Sequence, residues 1–306
     1  MAGLTDIPGL RVGHWTGKGT GCTVVLAPEE GAVAAIDVRG GAPASFDTEL
    51  LHEGRLVQRV NALVLAGGSV YGLAACTGVT RWLAEKGVGF TFGGRKVPIV
   101  CGAAIFDLGV AEGPPPDSES GYAACESATV GEKSQGRVGA GAGAMAGKAQ
   151  GVAHATPGGL GMASLKCGHH VVAALAVVNA AGSVYDRQGR PIAAPRKAGG
   201  SFVDAIADIQ ANGRMRQPPG ENTTLGIVAT TAGLDRAGAT KLAQMAHDGL
   251  ARAIRPAHTM HDGDLIFALS VPGQATQEAD VSALGAIAAE AMQDAIIAAV
   301  QASANT

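Results

Sequence analysis

Residues 217–229 read QPPGENTTLGIVA, a polar stretch marked by Pro and Gly that becomes apolar after Thr224. The apolar part predicts a buried strand that begins at Thr223, and the part before it predicts a surface loop. A break between Asn222 and Thr223 would leave Thr223 with a free α-amine beside its own hydroxyl. The unperturbed pKa of an α-amine is about 7.7–8.0. One residue could then serve as both nucleophile and general base.

This junction, taken alone, also fits two other interpretations. Residues 222–224 match the N-glycosylation pattern, which requires secretion. The first residues, MAGLTDIP, have no basic start followed by an apolar core, so no signal peptide is predicted. The tripeptide is also typical of an ordinary turn after a Pro-Gly loop. The rest of the chain has to decide between these interpretations.

The composition excludes several classes of protein. The 306 residues allow one large domain or two small ones, and 47% hydrophobic with 16% charged residues excludes disorder. A net charge of −3 with few basic clusters argues against nucleic-acid binding. Every long apolar run is interrupted by Gly, His or a charge, so we expect no membrane partner. Five scattered cysteines favour reduced thiols and a cytoplasmic location. They are Cys22, Cys76, Cys101, Cys125 and Cys167.

The hydrophobic pattern groups strands together instead of alternating them strictly with helices. Strands are predicted over 10–14, 22–26, 32–38, 62–66, 170–179 and 264–271. Helices are predicted over 69–86, 233–254 and 281–303, the first with Ser69 as N-cap and Gly87 as its stop. Residues 113–121 are predicted as a surface loop. The grouping favours an α/β protein with stacked sheets and helices outside over a doubly wound sheet. A candidate boundary covers about 196–221.

The glycine-rich segment 136–148 does not fit a nucleotide-binding loop. A P-loop has four residues between its glycines and a Ser or Thr after its lysine. Here Gly143 and Gly147 are separated by three residues, and Ala149 follows Lys148. The dinucleotide fingerprint lacks its third glycine. Two interpretations remain. Either the close backbone approach that the glycines allow places Lys148 in a site, or the segment ends in a lysine exposed to solvent.

Residues 258–264 read HTMHDGD and hold two histidines and two aspartates. Their spacing matches neither a zinc site nor an EF-hand. Asp262 and Asp264, just before a strand, could point into a site and tune a neighbouring amine or hydroxyl. An Asp-Gly turn that opens the strand explains the same residues.

Asn179 ends the apolar strand 170–179. A buried amide needs hydrogen-bond partners. Its side chain could donate to a developing oxyanion or cap a turn, and the residues alone leave both interpretations open.

Taken together, these segments resemble the self-processing N-terminal-nucleophile family of L-aminopeptidase/D-esterase-type enzymes, β-aminopeptidases and nylon-oligomer hydrolases (peptidase family P1). The resemblance covers nearly the whole chain, with its segments in the right order. They are residues 7–14 (IPGLRVGH), 37–43 (DVRGGAP), 65–73 (LAGGSVYGL), 139–148 (GAGAGAMAGK), 222–224 (NTT) and 258–269 (HTMHDGDLIFAL).

The resemblance implies self-cleavage into an α chain, residues 1–222, and a β chain, residues 223–306, that together form one domain. It implies an α/β four-layer sandwich of two stacked β-sheets flanked by helices. It also implies a homo-oligomer, a tetramer of α/β heterodimers, that uses neither cofactor nor metal.

The resemblance also implies roles for individual residues. The nylon-oligomer hydrolase pattern carries over as the nucleophile Thr223, the lysine Lys148, the oxyanion-side Asn179 and the aspartates Asp262 and Asp264. The β-aminopeptidases differ, with a Ser nucleophile and a Ser/Glu pair. Asn222 and Thr223 then flank the autocleavage site.

Two aromatic residues are candidates for the substrate pocket, Tyr71 and Phe106. The nylon-oligomer hydrolases have a tyrosine where this chain has Phe106, so substrate contacts or rate should differ.

Four functions are therefore compared. The favoured one is an amidase that acts on short linear amides, such as 6-aminohexanoate oligomers. An aminopeptidase acting on small peptides or amides is the main alternative. Acyl transfer to an amine, as in the self-cleaving ornithine acetyltransferases, is a more remote one. A non-enzymatic metal-binding globule using His258, His261 and the aspartates would keep the chain intact.

Overall fold

The computed structural model describes residues 2–196, 200–215, 221–273 and 279–304 of the chain. Within these ranges the helices are α1 (Ser69–Gly72), α2 (Ala75–Glu85), α3 (Ser118–Glu126), α4 (Ala205–Asn212), α5 (Arg236–Ala253) and α6 (Val281–Ser303). The first nine strands are β1 (Arg11–Thr16), β2 (Gly21–Leu26), β3 (Ala32–Val38), β4 (Ala44–Phe46), β5 (Arg59–Val60), β6 (Ala62–Ala66), β7 (Phe90–Phe92), β8 (Arg95–Val97) and β9 (Val100–Ala104). The others are β10 (Met145–Ala146), β11 (Thr156–Pro157), β12 (Gly159–Cys167), β13 (His170–Asn179), β14 (Ser183–Tyr185), β15 (Pro191–Ala193), β16 (Thr223–Thr230), β17 (Ile254–Arg255) and β18 (Leu265–Ser270).

The larger sheet has six strands in the order β12-β13-β16-β18-β3-β5. Strand β16 lies inside it, antiparallel to β13 and parallel to β18. The parallel pair needs a crossover connection, and α5 supplies it. Strand β16 is buried along its whole length, which explains its nearly continuous apolar sequence. Because β16 and β18, from after the Asn222–Thr223 junction, lie between strands from before it, the two parts of the chain share one sheet.

The second sheet has five strands in the order β1-β2-β6-β9-β4. Strands β6 and β9 are parallel, and β2 runs antiparallel to β6. Three smaller sheets stand apart from these two: β7 with β8, β10 with β11, and β14 between β15 and β17.

Three apolar layers fix the arrangement of the sheets and helices. The two sheets face each other across a core that includes Leu63, Leu65, Leu175, Leu225 and Phe267. The outer face of the larger sheet packs on α5 and α6, through residues such as Val228, Ile266, Leu242, Met292 and Ile296. The outer face of the smaller sheet packs on α2 and α3, through residues such as Val24, Val64, Val79, Trp82 and Ala124. The order helix, sheet, sheet, helix confirms the predicted four-layer α/β sandwich.

The sequence pattern predicted most of the long elements. Strands 32–38, 62–66 and 170–179 and helix 281–303 have the predicted bounds. The predicted helix 69–86 is two helices, α1 and α2. Ser69 is not an N-cap, because it is the first helical residue, with φ of 53°, and Gly68 precedes it as the cap.

The predicted surface loop 113–121 is wrong in its second half. Helix α3 begins at Ser118, because Asp117 caps it by accepting a hydrogen bond from the Ser120 main-chain N at 2.9 Å. The Ser120 hydroxyl in turn accepts one from the Asp117 N, which completes a capping box. Residues 217–220 of the loop predicted before Asn222, and part of the candidate boundary at 196–221, lie outside the described residues.

Helix α6 is long and apolar enough to cross a membrane by length and composition alone, with a mean hydropathy of 1.5. In the fold, however, 61% of that apolar window is buried. Its buried face packs on the larger sheet and on α5, as expected of a core helix.

We expect Phe267→Ala to lower the free energy of unfolding by about 3–5 kcal/mol, because it empties the core between the two sheets. Urea denaturation measures the change. Phe92→Ala is the matched control: that ring is 69% exposed, so its removal should change stability by about 0.5 kcal/mol or less. Equal losses for both variants would contradict the assignment of the inter-sheet core.

Candidate active site

The register of the larger sheet brings the predicted residues to one end of β16. Thr223, the first residue of that strand, pairs with Asn179, the last residue of β13. On the other side, Asn222 forms an isolated parallel bridge with Asp262. Both junction residues are buried, Asn222 completely and Thr223 with 3% exposed.

The hydroxyl of Thr223 lies against the carbonyl group of the residue before it. Thr223 Oγ1 donates a hydrogen bond to the Asn222 carbonyl oxygen at 2.5 Å. The main-chain N of Gly263 donates to the same oxygen at 2.8 Å. A Cβ at Gly263 would lie 2.7 Å from Thr223 Oγ1, so only glycine allows this approach. Negative charge developing on that oxygen would be stabilised by the Gly263 N–H.

The two predicted aspartates flank Gly263 and are both buried, each 2% exposed. Asp264 Oδ1 accepts a hydrogen bond from the main-chain N of Thr224 at 2.7 Å, directly after the candidate nucleophile. Burial raises the pKa of Asp262 to about 6, and the nearby Asp264 carboxylate adds to this shift. Hydrogen bonds from Thr259 and the charge of Lys148 act in the opposite direction.

The segment after β3 holds the backbone of this aspartate loop. The main-chain N atoms of Arg39 and Gly40 both donate to the Asp264 carbonyl oxygen at 3.0 Å. That of Ala42 donates to the Asp262 carbonyl oxygen at 2.8 Å. A Cβ at Gly40 would lie 2.3 Å from the Asp264 N, which explains the glycine at this position.

Lys148 enters the site from the glycine-rich segment and is 4% exposed. Its Nζ donates a hydrogen bond to the Glu221 carbonyl oxygen at 2.6 Å. Burial lowers its pKa to about 7, although Asp262, Glu221 and Asp107 favour the charged form. The alternative of a solvated lysine is therefore wrong, because the segment packs its lysine inwards.

Asn179 is also buried, and its side-chain amide forms hydrogen bonds with main-chain atoms around the site. Its Nδ2 donates to the Phe106 carbonyl oxygen at 2.8 Å and to the Glu221 carbonyl oxygen at 3.4 Å. Its Oδ1 accepts from the Met145 main-chain N at 3.0 Å. Lys148 and Asn179 therefore converge on the carbonyl of Glu221, one residue before the carbonyl that Thr223 touches.

A cavity of about 190 Å³ opens next to these groups. Its lining consists of Phe106, Asp107, Gly109, Val110, Met145, Lys148, Val152, Asn179 and Glu221. Phe106, a predicted candidate for the substrate pocket, lines this cavity. Tyr71 does not line this cavity, and its side chain is 66% exposed on α1.

Three groups of the site were not identified from the sequence. Asp107 lies in the cavity wall, with Oδ1 accepting from the Gly68 N at 2.6 Å, and burial raises its pKa. Its position next to Phe106 was a signal that could have identified it. The Gly263 N–H and the Glu221 carbonyl are main-chain groups, and no side-chain pattern marks them.

Solved structures with the same fold identify the class. The Burkholderia β-aminopeptidase superposes with a TM-score of 0.74 at 22% identity, covering 98% of this chain and 86% of that one. An L-aminopeptidase D-Ala-esterase/amidase from Ochrobactrum anthropi gives 0.72 at 18%, with the same coverage, and is described as a variant of the Ntn hydrolase fold. The chain therefore has an N-terminal-nucleophile hydrolase fold.

The model of peptidase family S58 matches residues 2–306, and the chain belongs to this family. An uncharacterised aminopeptidase of Mycobacterium tuberculosis is 42% identical over 98% of this chain and 94% of its own length. A 6-aminohexanoate-oligomer endohydrolase of Paenarthrobacter ureafaciens is 33% identical over 95% of this chain and 84% of its own. The protein is thus a peptidase or amidohydrolase, as the resemblance implied.

We expect Lys148→Met to stabilise the fold more at pH 6 than at pH 10. The pKa of Lys148 in the folded chain, about 7, lies below its ordinary value of 10.5. The free-energy cost of burying its charge is therefore greatest below pH 7 and falls as the pH rises towards 10.5. Urea denaturation across this range, in a Thr223→Ala background to keep the chain intact, measures the difference.

The same change on the exposed strand β8, Lys96→Met, serves as the control and should show no such trend with pH. A stability gain at Lys148 that is the same at pH 6 and pH 10 would contradict the assignment of a buried amine that titrates near neutrality.

Proposed function

We propose that this chain cleaves itself between Asn222 and Thr223, and that the new N-terminal Thr223 hydrolyses amide bonds of short linear oligomers, such as 6-aminohexanoate oligomers. One observation carries the proposal: the Thr223 hydroxyl lies 2.5 Å from the carbonyl oxygen of the bond that would break. That contact is buried, and the Gly263 N–H supports the same oxygen from a second direction.

Self-cleavage begins with an N-to-O shift. Thr223 Oγ1 attacks the Asn222 carbonyl carbon, the C–N bond breaks, and the proton from the hydroxyl ends on the new amine. Water then hydrolyses the ester, which releases Asn222 as a carboxylate and restores the Thr223 hydroxyl. During the attack, the Gly263 N–H donates to the oxyanion.

The mature site would use the same hydroxyl on an external amide. The Thr223 amine accepts the hydroxyl proton, Oγ1 attacks the substrate carbonyl, and the leaving amine takes the proton. Water clears the acyl-enzyme. Lys148 keeps the α-amine neutral by like-charge repulsion, and the two aspartates limit that shift.

Asn179 would donate to the oxyanion in this second reaction. Its Nδ2 already points at a carbonyl oxygen, that of Glu221, in the uncleaved chain. Loss of one such donor typically lowers turnover by about 10²–10³-fold.

The substrate class is supported by two features. The threonine and the two aspartates are those of the nylon-oligomer pattern, and the relative from Paenarthrobacter ureafaciens carries the name of a 6-aminohexanoate-oligomer endohydrolase. Phe106 departs from that pattern, since it offers no hydroxyl to the cavity it lines. We therefore expect the same substrate class with altered rate.

An aminopeptidase is the second candidate, because the mycobacterial relative at 42% identity is named as one. Such an enzyme would release N-terminal residues from small peptides or amides, and it would need a free amine on its substrate.

The products of self-cleavage would be an α chain of residues 1–222 and a β chain of residues 223–306. They would remain one domain, because β16 and β18 pair with β13 and β3 in a single sheet. The family resemblance supports assembly as a tetramer of α/β heterodimers, and the five scattered cysteines favour a cytoplasmic location. We expect catalysis without cofactor or metal, since the spacing of residues 258–264 matches neither a zinc site nor an EF-hand.

We expect Thr223→Ala to abolish both self-cleavage and amide hydrolysis, because the change removes the only hydroxyl that contacts the Asn222 carbonyl among the described residues. Mass spectrometry under denaturing conditions should find two chains for the natural protein and one of 30.4 kDa for the variant. Thr224→Ala, one residue along the same strand, should still give two chains. Amidase activity in uncleaved Thr223→Ala would refute the assignment.

We expect the purified enzyme to hydrolyse a 6-aminohexanoate trimer and its N-acetylated form at similar rates, since an endo-acting amidase does not need the terminal amine. Chromatography of the products measures both rates. A loss approaching roughly 10⁴-fold on acetylation, the scale expected when a site's buried polar groups are left without their partner, would instead favour the aminopeptidase.

A further inference from the structure

Two consecutive residues, His258 and Thr259, contact the two aspartates of the site in the same way. Each donates a hydrogen bond from its main-chain N and a second from its side chain, and in each case both bonds end on a single carboxylate oxygen. Neither residue is used in the chemistry described above.

His258 holds Asp264. Its main-chain N and its Nδ1 both lie 2.9 Å from Asp264 Oδ2. Because a carboxylate only accepts hydrogen bonds, Nδ1 carries the proton. His258 has φ of 59°, a left-handed conformation that is rare for a residue with a side chain. Its ring also meets that of the buried His247 edge-on at 4.7 Å.

Thr259 holds Asp262. Its main-chain N lies 3.0 Å and its Oγ1 2.5 Å from Asp262 Oδ2. The hydroxyl also accepts a hydrogen bond from the His261 N at 3.1 Å, which ties the turn together. Since a hydroxyl has one proton, this geometry commits that proton to the carboxylate.

We propose that His258 and Thr259 are positioning residues of the active site, each of which holds one of the two aspartates at a fixed place and orientation. The inference rests on the function proposed above and extends it to residues that touch neither the nucleophile nor the carbonyl under attack.

The two contacts have different consequences. With Oδ2 held by His258, Asp264 presents Oδ1 to the Thr224 N, and this bond sets the position of the main chain beside Thr223. With Oδ2 held by Thr259, Asp262 stays as a carboxylate near Lys148 although it is buried. His258 therefore acts on the position of the main chain beside the nucleophile Thr223. Thr259 acts on the charge of Asp262, close to Lys148.

The pH dependence of Asp262 is set by several groups. Asp264, on its own loop, raises the pKa of Asp262, and Lys148, from the glycine-rich segment, lowers it. Of the other charged or titratable groups nearby, His258 bonds to Asp264, and the His261 main-chain N bonds to the Thr259 hydroxyl. Arg39 bonds through its main-chain N to the Asp264 carbonyl, and Asp107 and Glu221 act on Lys148. Substituting Thr259 leaves all of these in place and removes only the hydroxyl donor.

The decisive pair of variants is Thr259→Val and Thr259→Ser. Valine keeps the branched shape and loses the donor, whereas serine keeps the donor. We expect Thr259→Val to slow self-cleavage roughly 10- to 100-fold at neutral pH, the range for a lost hydrogen bond to a charged group. The fall of the self-cleavage rate on the acid side of its pH profile, the acid limb, should move to higher pH by about one unit, because Asp262 then protonates more easily. Thr259→Ser should behave like the natural chain in both respects.

The measurement uses the full chain and needs no external substrate. Newly synthesised, pulse-labelled protein is shifted to buffers between pH 5 and pH 8, and the conversion of the intact chain into two fragments is followed with time. Thr240→Val, on α5, makes the same change where the hydroxyl donates to the Arg236 carbonyl within the helix, and should leave both the rate and the pH profile unchanged.

A second pair tests His258 independently. Asparagine and aspartate both tolerate the left-handed backbone, but only asparagine can donate to Asp264. We expect His258→Asn to retain self-cleavage within roughly 10-fold and His258→Asp to lose it, since two carboxylates would then face each other. If Thr259→Val does not fold, this pair still tests the proposed positioning role at His258.

The outcomes separate the two proposals. If the natural chain never splits, the proposed function fails, and the positioning roles fail with it. If the natural chain splits but the two members of each pair behave alike, only the positioning roles are overturned. If Thr259→Val cleaves itself more slowly but its acid limb stays at the same pH, the role of Thr259 is also overturned, because a general loss of order in the loop would produce that result.

Discussion

The pairing register of β16 is the constraint on which the rest of the site depends. Thr223 lies opposite Asn179 on one side and, through Asn222, next to Asp262 on the other. A shift of one residue in either pairing would turn the side chains of β16 to the opposite face. The register is strongly specified because alternate residues of β16 fill two different cores, one between the sheets and one under the helices.

This register gathers charged groups where water is largely excluded, so each depends on the others. Burial pushes Lys148 towards its neutral form and Asp262 towards its protonated form, while their mutual attraction opposes both shifts. A site of this kind holds groups with pKa values near neutrality, which suits the proposed transfer of protons between an amine and a hydroxyl. The same balance makes the site sensitive to the loss of single hydrogen bonds.

The position of the junction is compatible with the proposed cut inside the core of the chain. The bond between Asn222 and Thr223 lies at the end of β16, in a sheet whose strands come from both sides of that bond, so strand pairing and shared cores would keep the two segments joined after the proposed cut. In the intact chain, two carbonyl groups are held by two sets of donors. The Asn222 carbonyl contacts Thr223 and Gly263, and the Glu221 carbonyl contacts Lys148 and Asn179. The proposed self-cleavage and substrate hydrolysis would therefore draw on different donors in one site.

The amino-acid sequence by itself determined the long strands and helices and the stacked-sheet class, because apolar periodicity carries that information locally. Through a resemblance of segments along nearly the whole chain, the sequence also indicated the family and the candidate side chains Thr223, Lys148, Asn179, Asp262 and Asp264. It did not predict α3, whose start depends on a capping box inside a Pro-rich segment. Only the tertiary structure revealed the Gly263 N–H, the Glu221 carbonyl and the donors of His258 and Thr259 that hold the aspartates. The physical reason is that main-chain donors and acceptors are the same in every residue, so their roles arise only when segments distant in the chain are brought into register.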